Sequence, residues 1–290
     1  MITRKSFIKR SGLLTAGLAM KPSSLFAKDM KIGIQLYSIR EIIGKDVDGF
    51  LAKISKAGYS DVETYGGQFF GLEPKAFKEL LVKNHLTSLS GHYTIDKYLL
   101  NNGPDDDVKV QIDKAKAVGQ EYLTVSSFSH ANSKTTDDYK RVAERFNQAG
   151  KICKSSGIKL GYHNHNTEFD PLNGGVSGYD VLLKETDPAL LHMELDLYWA
   201  VRGGQDPVEM FKKYPGRFEM WHVKDMDKSK TNRNTEIGNG SIDFKKIFAN
   251  AKLSGMKRFY MEQENFDIDP IESITKSSNY IKQTLLKELA

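Results

Sequence analysis

The sequence predicts a single (β/α)8 barrel of the TIM type over residues 28–290, and three observations carry that prediction. Short β-branched or aromatic runs alternate with helical patterns eight times in order, and glycines close several of the helical runs. The length past residue 27 also suits one such barrel of about 250 residues, with no linker or low-complexity tract to divide it.

The first strand is expected over Lys31–Tyr37, and a helix over Val47–Ala57 ends at Gly58. The second strand is Tyr59–Thr64, with a helix over Pro74–Asn84. The third is Leu86–Gly91, with a helix over Asp105–Val118 closed by Gly119. The fourth is Tyr122–Ser126, followed by a long helix over Asp137–Ser156 closed by Gly157. The fifth is Lys159–His163, with a helix over Gly178–Glu185, and the sixth is Leu191–Leu195, with a helix over Pro207–Tyr214. The seventh is Phe218–Val223, with a helix over Phe244–Leu253, and the eighth is Arg258–Glu262, with a final helix over Ile271–Leu286. Eight such units in one domain favour closure over an open doubly wound sheet. No Gly-x-Gly-x-x-Gly turn follows the first strand, which weighs against dinucleotide binding.

Residues 1–27 read differently. Arg4, Lys5, Lys9 and Arg10 precede a mildly apolar run, Leu13 to Met20, and small residues lead to Ala27. This is the layout of a removable export signal, which places the mature chain outside the cytoplasm, in a periplasm. An amphipathic N-terminal helix is the alternative. The run is too short to serve as a stable membrane anchor. The segment from Thr3 to Lys9 resembles a twin-arginine signal with Lys5 in the place of the second arginine, and the general secretory route stays open. The basic residues Arg4, Lys5, Lys9, Arg10 and Lys21, with no acid among them, account for the whole formal net charge of +5. The remainder is neutral, which excludes the basic footprint of a nucleic-acid binder. The one cysteine, Cys153, cannot form an internal disulfide and reads as packing.

In a (β/α)8 barrel, the C-terminal strand ends converge on one mouth. Gln35, Glu63 and His92 sit at the ends of the first three strands. The fifth ends in His163, Asn164 and His165, and the sixth in Glu194, Leu195 and Asp196. The seventh carries His222, Lys224 and Asp225, and the eighth Glu262 and Glu264. One such residue is usually solvated; carboxylates and imidazoles gathered on four consecutive strands suggest one divalent metal ion, Mn2+, Co2+, Mg2+ or Zn2+. Without a cation, several clustered carboxylates would repel.

Asp196 in MELDLYWA, His222 in WHVKD, the loop from Ile237 to Phe244, and Glu262 in YMEQE resemble the xylose isomerase-like barrel superfamily along essentially the whole of residues 28–290. Its ketose 3-epimerases and inosose dehydratases are the nearest branches. In the epimerase branch, a Glu, an Asp, a His and a Glu after strands five to eight hold one metal. The resemblance places the last three on Asp196, His222 and Glu262, and the first on His163. This departure replaces one of the two glutamates that those epimerases use as an acid–base pair, and it weighs against simple 3-epimerisation. Histidine can both ligate and transfer protons. His163 is favoured as ligand and His165 as the acid–base group. Lys224 could stabilise an enediolate or pair with Asp225 or Asp227. Gln35, Glu63, His92 and Glu168 are candidate hydroxyl binders, and Glu194 could face the core or the metal. Trp199 and Tyr37, with Phe69 and Phe70, could wall a sugar ring or simply pack. The turn Gly238-Asn239-Gly240 could bind an anion or shape its loop.

The expected chemistry is proton abstraction next to the carbonyl of a sugar, through an enediolate, by His165, His163 or Glu262, giving isomerisation or epimerisation. Loss of a β-leaving group after the same first step would make the chain a lyase or dehydratase on a keto sugar or keto-glycoside. An exported, non-catalytic carbohydrate-binding barrel is the reading from another class. The three-zinc endonuclease branch of the superfamily is disfavoured by seven histidines, several of them off the mouth. The oligomeric state, a homo-oligomer included, stays open.

Overall fold

The computed structural model describes residues 30–129 and 133–289, so the expected export signal at residues 1–27 lies outside the described residues. Eight parallel strands close into a barrel: β1 (Gly33–Gln35), β2 (Asp61–Thr64), β3 (Thr87–Tyr93), β4 (Tyr122–Val125), β5 (Lys159–His163), β6 (Leu191–Asp196), β7 (Met220–Val223) and β8 (Arg258–Met261). Each pairs with its sequence neighbours, and β8 returns to β1 through Gly33–Tyr260 and Ile34–Met261. Gly33 permits that closure, because a Cβ there would stand 2.4 Å from the Tyr260 ring and 2.6 Å from the Phe259 carbonyl oxygen.

The helices that wrap the barrel are α1 (Val47–Lys56), α2 (Pro74–Lys83), α3 (Asp106–Val118), α4 (Thr136–Ser155), α5 (Gly178–Glu185), α6 (Pro207–Lys213), α7 (Phe244–Phe248) and α8 (Pro270–Gln283). Their starts follow from side chains that satisfy free backbone N–H groups. Asp46, Ser177 and Asp206 cap α1, α5 and α6, and Thr135 and Asp138 form a reciprocal capping box on α4. Along α4, Tyr139, Val142, Ala143, Phe146, Ala149 and Cys153 are buried at helical spacing against the barrel. Burial of a side chain such as Phe146 is worth about 1.5–3 kcal/mol.

Strand alternation decides which residues face the barrel interior. Trp221 of β7 stacks on Phe211 of α6 at 5.2 Å, so His222 beside it points inward. Tyr162 of β5 packs on Phe146 of α4 at 5.3 Å, so His163 points inward.

Several expected boundaries move, each for a local reason. The first strand ends at Gln35, because its side chain accepts the Tyr37 N–H and turns Leu36–Ile39 into a 3-10 helix. The third extends through His92, and the sixth reaches Asp196. The helix expected over Phe244–Leu253 breaks at Asn250, whose side chain turns back to the Lys246 carbonyl. Short helices at Asp96–Asn101 and Leu197–Arg202, and a ribbon pairing Asp225–Met226 with Asn234–Thr235, were not legible as separate elements.

Candidate active site

A cavity of about 340 Å3 opens at the C-terminal end of the barrel. His92, His163, His165, Lys224 and Glu262 at the strand ends line it, together with Trp199 of the helix Leu197–Arg202. Tyr37, Tyr65, Gly66, Ser126, Ser127 and Glu264 complete the wall. Asp196 and His222 lie behind these residues, fully buried.

His222 addresses two sets of carboxylates through opposite ring nitrogens. Nδ1 lies 3.0 Å from Glu262 Oε2 and 3.9 Å from Asp196 Oδ2. Nε2 lies 2.6 Å from Glu63 Oε2 and 3.3 Å from Glu194 Oε2. His163 repeats the pattern, with Nε2 3.9 Å from Asp196 Oδ2 and Nδ1 3.2 Å from Glu194 Oε2. One nitrogen of each ring therefore faces Asp196, while the other is held by a buried carboxylate. Metal-binding histidines are oriented in this way, the outer carboxylate setting the tautomer and the ring plane.

The charge balance leaves room for a cation. Asp196 Oδ2, Glu63 Oε1 and Glu194 Oε1 are buried with no hydrogen-bond partner, a costly state for carboxylate oxygens. Burial pushes the Asp196 carboxyl up to about 7, despite the opposing pull of Lys224 and His222. Burial, reinforced by the charge of Glu63, pushes Glu194 up to about 6. Burial and the neighbouring His222 and His92 hold His163 well below the ordinary histidine range. For His222, burial is outweighed by Glu194 and Glu63, which hold it well above that range, so His222 would release a proton on taking a cation. Two overlapping donor sets thus fit a divalent cation, Asp196, His222 and Glu262 in one, with His163 3.9 Å from Asp196, and His92, His163, Glu194 and His222 in the other, without distinguishing Mn2+, Co2+, Mg2+ and Zn2+.

His92 plays a different part. Its Nε2 lies 2.8 Å from Glu194 Oε2 and 3.2 Å from Glu63 Oε2. Burial opposes its protonation, but these two carboxylates outweigh burial and raise it to about 9. The imidazolium offsets their charge from inside the protein. Lys224 is buried against Glu262 and Glu264, with its ammonium 5.0 Å from the Trp199 ring centre. The expected alternative pairing with Asp225 does not form. Asp225 instead accepts the N–H groups of Gly238, Gly240 and Ile242, so the anion held by that glycine turn is the chain's own carboxylate.

The structure turns three expected substrate binders away from that role. Gln35 is fully buried behind the wall and donates to Glu63 Oε2 at 2.8 Å. Glu63 is buried under His222 and His92. Glu168 is buried as well, accepting the Tyr162 hydroxyl at 2.9 Å and the His165 N–H at 3.0 Å. It steadies the turn that carries His165. Phe69 and Phe70 pack against Phe77 beneath the rim and form no part of the wall. Tyr65 was missed in the sequence, because nothing in its spacing separates a rim aromatic from a packing one. It meets Tyr37 edge-on at 5.2 Å.

Comparison with known proteins agrees with this architecture. An inosose dehydratase of Clostridium tetani is 28% identical over 171 residues, a match that spans 51% of this chain and 55% of the relative, about half its length. An inosose dehydratase of Lacticaseibacillus casei is 24% identical over 284 residues, covering 84% of this chain and 92% of the relative. A crystal structure of a sugar phosphate isomerase/epimerase from Parabacteroides distasonis superposes with a TM-score of 0.79 at 33% identity, covering 88% of this chain and 94% of that one. Residues 51–284 match the family model described as the xylose isomerase-like TIM barrel, and the chain belongs to that family.

Proposed function

We propose that this protein is a divalent-metal-dependent lyase of the dehydratase type acting on a keto sugar or keto-cyclitol. The observation that carries the reading is the convergence of Asp196, His222, Glu262 and His163 beside one cavity that also exposes His165 and Lys224. The names of the sequence relatives support elimination over isomerisation as the outcome.

When bound, the cation supplies a Lewis acid for the substrate carbonyl. Burial holds His165 below the ordinary histidine range, so its ring is neutral and able to accept the proton on the carbon next to that carbonyl. Its ring lies 5.4 Å from Trp199 and 5.0 Å from His163, which fixes its plane toward the cavity. Lys224 stays charged, raised by Glu262, Asp196 and Glu264 against the effect of burial, and it stabilises the developing enolate oxygen. The proton taken by His165 returns to the departing β-hydroxyl, so one water is lost and the imidazole is regenerated.

A second reading, isomerisation or epimerisation, shares the first step and is supported by the similar Parabacteroides structure. Incubating the protein with inosose and each of Mn2+, Co2+, Mg2+ and Zn2+ in heavy water separates the outcomes. Elimination gives a product lighter by one water. Isomerisation or epimerisation keeps the atoms and exchanges one carbon-bound hydrogen for deuterium. Neither change, with any of the four ions or across a panel of keto sugars, would return the chain to the non-catalytic carbohydrate-binding reading. Export of the mature chain after Ala27 is part of the same proposal, and N-terminal sequencing of the protein from its native host tests it.

A further inference from the structure

Asp196 has four polar groups, and three of them are committed. Its N–H donates to Asn164 Oδ1 at 3.1 Å, and its carbonyl receives the Asn164 side-chain N–H at the longer distance of 3.4 Å. Its Oδ1 accepts the Trp199 N–H at 2.9 Å, capping the helix Leu197–Arg202. Only Oδ2 is left over, buried and without a partner, 3.9 Å from both His163 Nε2 and His222 Nδ1.

Asn164 is itself fully buried and does not line the cavity, so its amide serves the protein rather than a substrate. Its place in the sheet explains the contact. The register between β5 and β6 ends at His163 opposite Glu194. One residue further on, the Asn164 amide takes the place of a peptide group and continues the pairing toward the Asp196 backbone. The end of β5, which carries His163, is thereby tied to the residue of β6 that carries Oδ2.

We propose that Asn164 is a positioning residue for the metal site. Its side-chain amide locks the Asp196 backbone so that, with Oδ1 consumed by the helix cap, Oδ2 is fixed toward the cation beside His163. The inference rests on the metal reading above. It differs from a simple structural role in one measurable respect: a latch of this kind governs metal affinity in the folded protein.

The test measures Mn2+ dissociation constants by competition with a chelating dye, alongside melting temperatures of the metal-free protein, for the wild type, Asn164→Leu and Asn164→Asp. The leucine keeps the volume and loses both bonds, and the expected loss of affinity is about 10–100-fold, as for other residues that orient a ligand. The aspartate keeps the acceptor for the Asp196 N–H, and its affinity should stay close to that of the wild type. Unchanged affinity in a folded Asn164→Leu protein overturns the latch alone. So does a loss in Asn164→Asp as large as that in Asn164→Leu, and if the leucine variant does not fold, a loss of about tenfold or more in Asn164→Asp decides against the latch. A wild type that takes up no divalent ion overturns the metal reading, and the latch with it.

Discussion

Both ends of the barrel interior are charged, yet they are built to opposite rules. At the N-terminal end, Glu219 accepts the Tyr122 hydroxyl at 2.9 Å and is paired with Lys257 at 2.6 Å, His192 at 3.3 Å and Lys159 at 3.4 Å. Polar atoms left over there are donors, two nitrogens of Arg258, whose guanidinium lies 4.9 Å from the Tyr122 ring centre. At the mouth, the atoms left over are carboxylate oxygens of Asp196, Glu63 and Glu194. The floor answers its Glu219 carboxylate with the chain's own Lys159 and Lys257, whereas the mouth leaves acceptors open toward a place where a cation fits. The difference separates a polar cluster that holds a fold together from one that awaits a ligand.

The largest effect is expected from Asp196→Asn, which removes the open acceptor at the mouth. It should abolish divalent-ion uptake and lower turnover by more than about 100-fold, since even residues one step behind the ligands are worth 10–100-fold. The metal-free variant should be no less stable than the wild type. Because burial raises Asp196 from 3.8 to about 7, its contribution in the metal-free fold is fully present below the ordinary value and is lost as pH rises through about 7. His163, His222, Glu262 and Lys224 face the same group, so thermal melts of the wild type and the variant, compared between pH 5 and pH 8, isolate the Asp196 share. A wild type that stays the more stable at pH 8 would contradict the picture of an open acceptor.

Next in size, Glu194→Gln and Glu63→Gln should each weaken metal binding about 10–100-fold while the ligands remain in place. Calorimetric titration checks this, and unchanged affinity would remove the orienting role from both carboxylates.

At the floor, Glu219→Gln should cost about 1–3 kcal/mol of stability at neutral pH, with metal affinity unaltered. Burial opposes ionisation of Glu219, but the bonds from His192 and Lys257 prevail and hold its pKa below the ordinary value of 4.5. Its stabilisation is therefore present above that value and declines as pH falls toward the folded-state pKa, the opposite sense to Asp196. Denaturant melts at pH 7 and pH 4 would show the gap between wild type and variant narrowing at the lower pH. The smallest effect belongs to the rim: Tyr37→Ala, which removes a wall aromatic that meets Tyr65 and not His165, should raise KM a few-fold with kcat nearly constant, in line with roughly 0.5–1.5 kcal/mol for an aromatic contact. Steady-state kinetics on a substrate identified by proton exchange would show it.

Much of the site was legible in one dimension because barrel geometry makes it so. Parallel strands alternate their side chains, and their C-terminal ends meet, so His163, Asp196, His222 and Glu262 could be placed at one mouth from strand position alone. The roles of Gln35, Glu63 and Glu168 were not legible. Whether a polar side chain at a strand end faces the cavity or a neighbouring ring depends on rotamer and on what packs behind it. The role of Asn164, between two histidines at the end of β5, was not legible either, because its contact is with a backbone 32 residues away.

Local sequence suffices for the periodic part: eight strand-and-helix units, the outward apolar layer on which the helices sit, and the gathering of acids and imidazoles at one end. These follow from local propensity and from the two-residue and 3.6-residue repeats, which act within a few residues of each other. Tertiary structure alone decided which carboxylates are offset and which are left open. That depends on closure of β8 onto β1 and on pairs such as Glu63 with His222, 159 residues apart, whose distances no local pattern encodes.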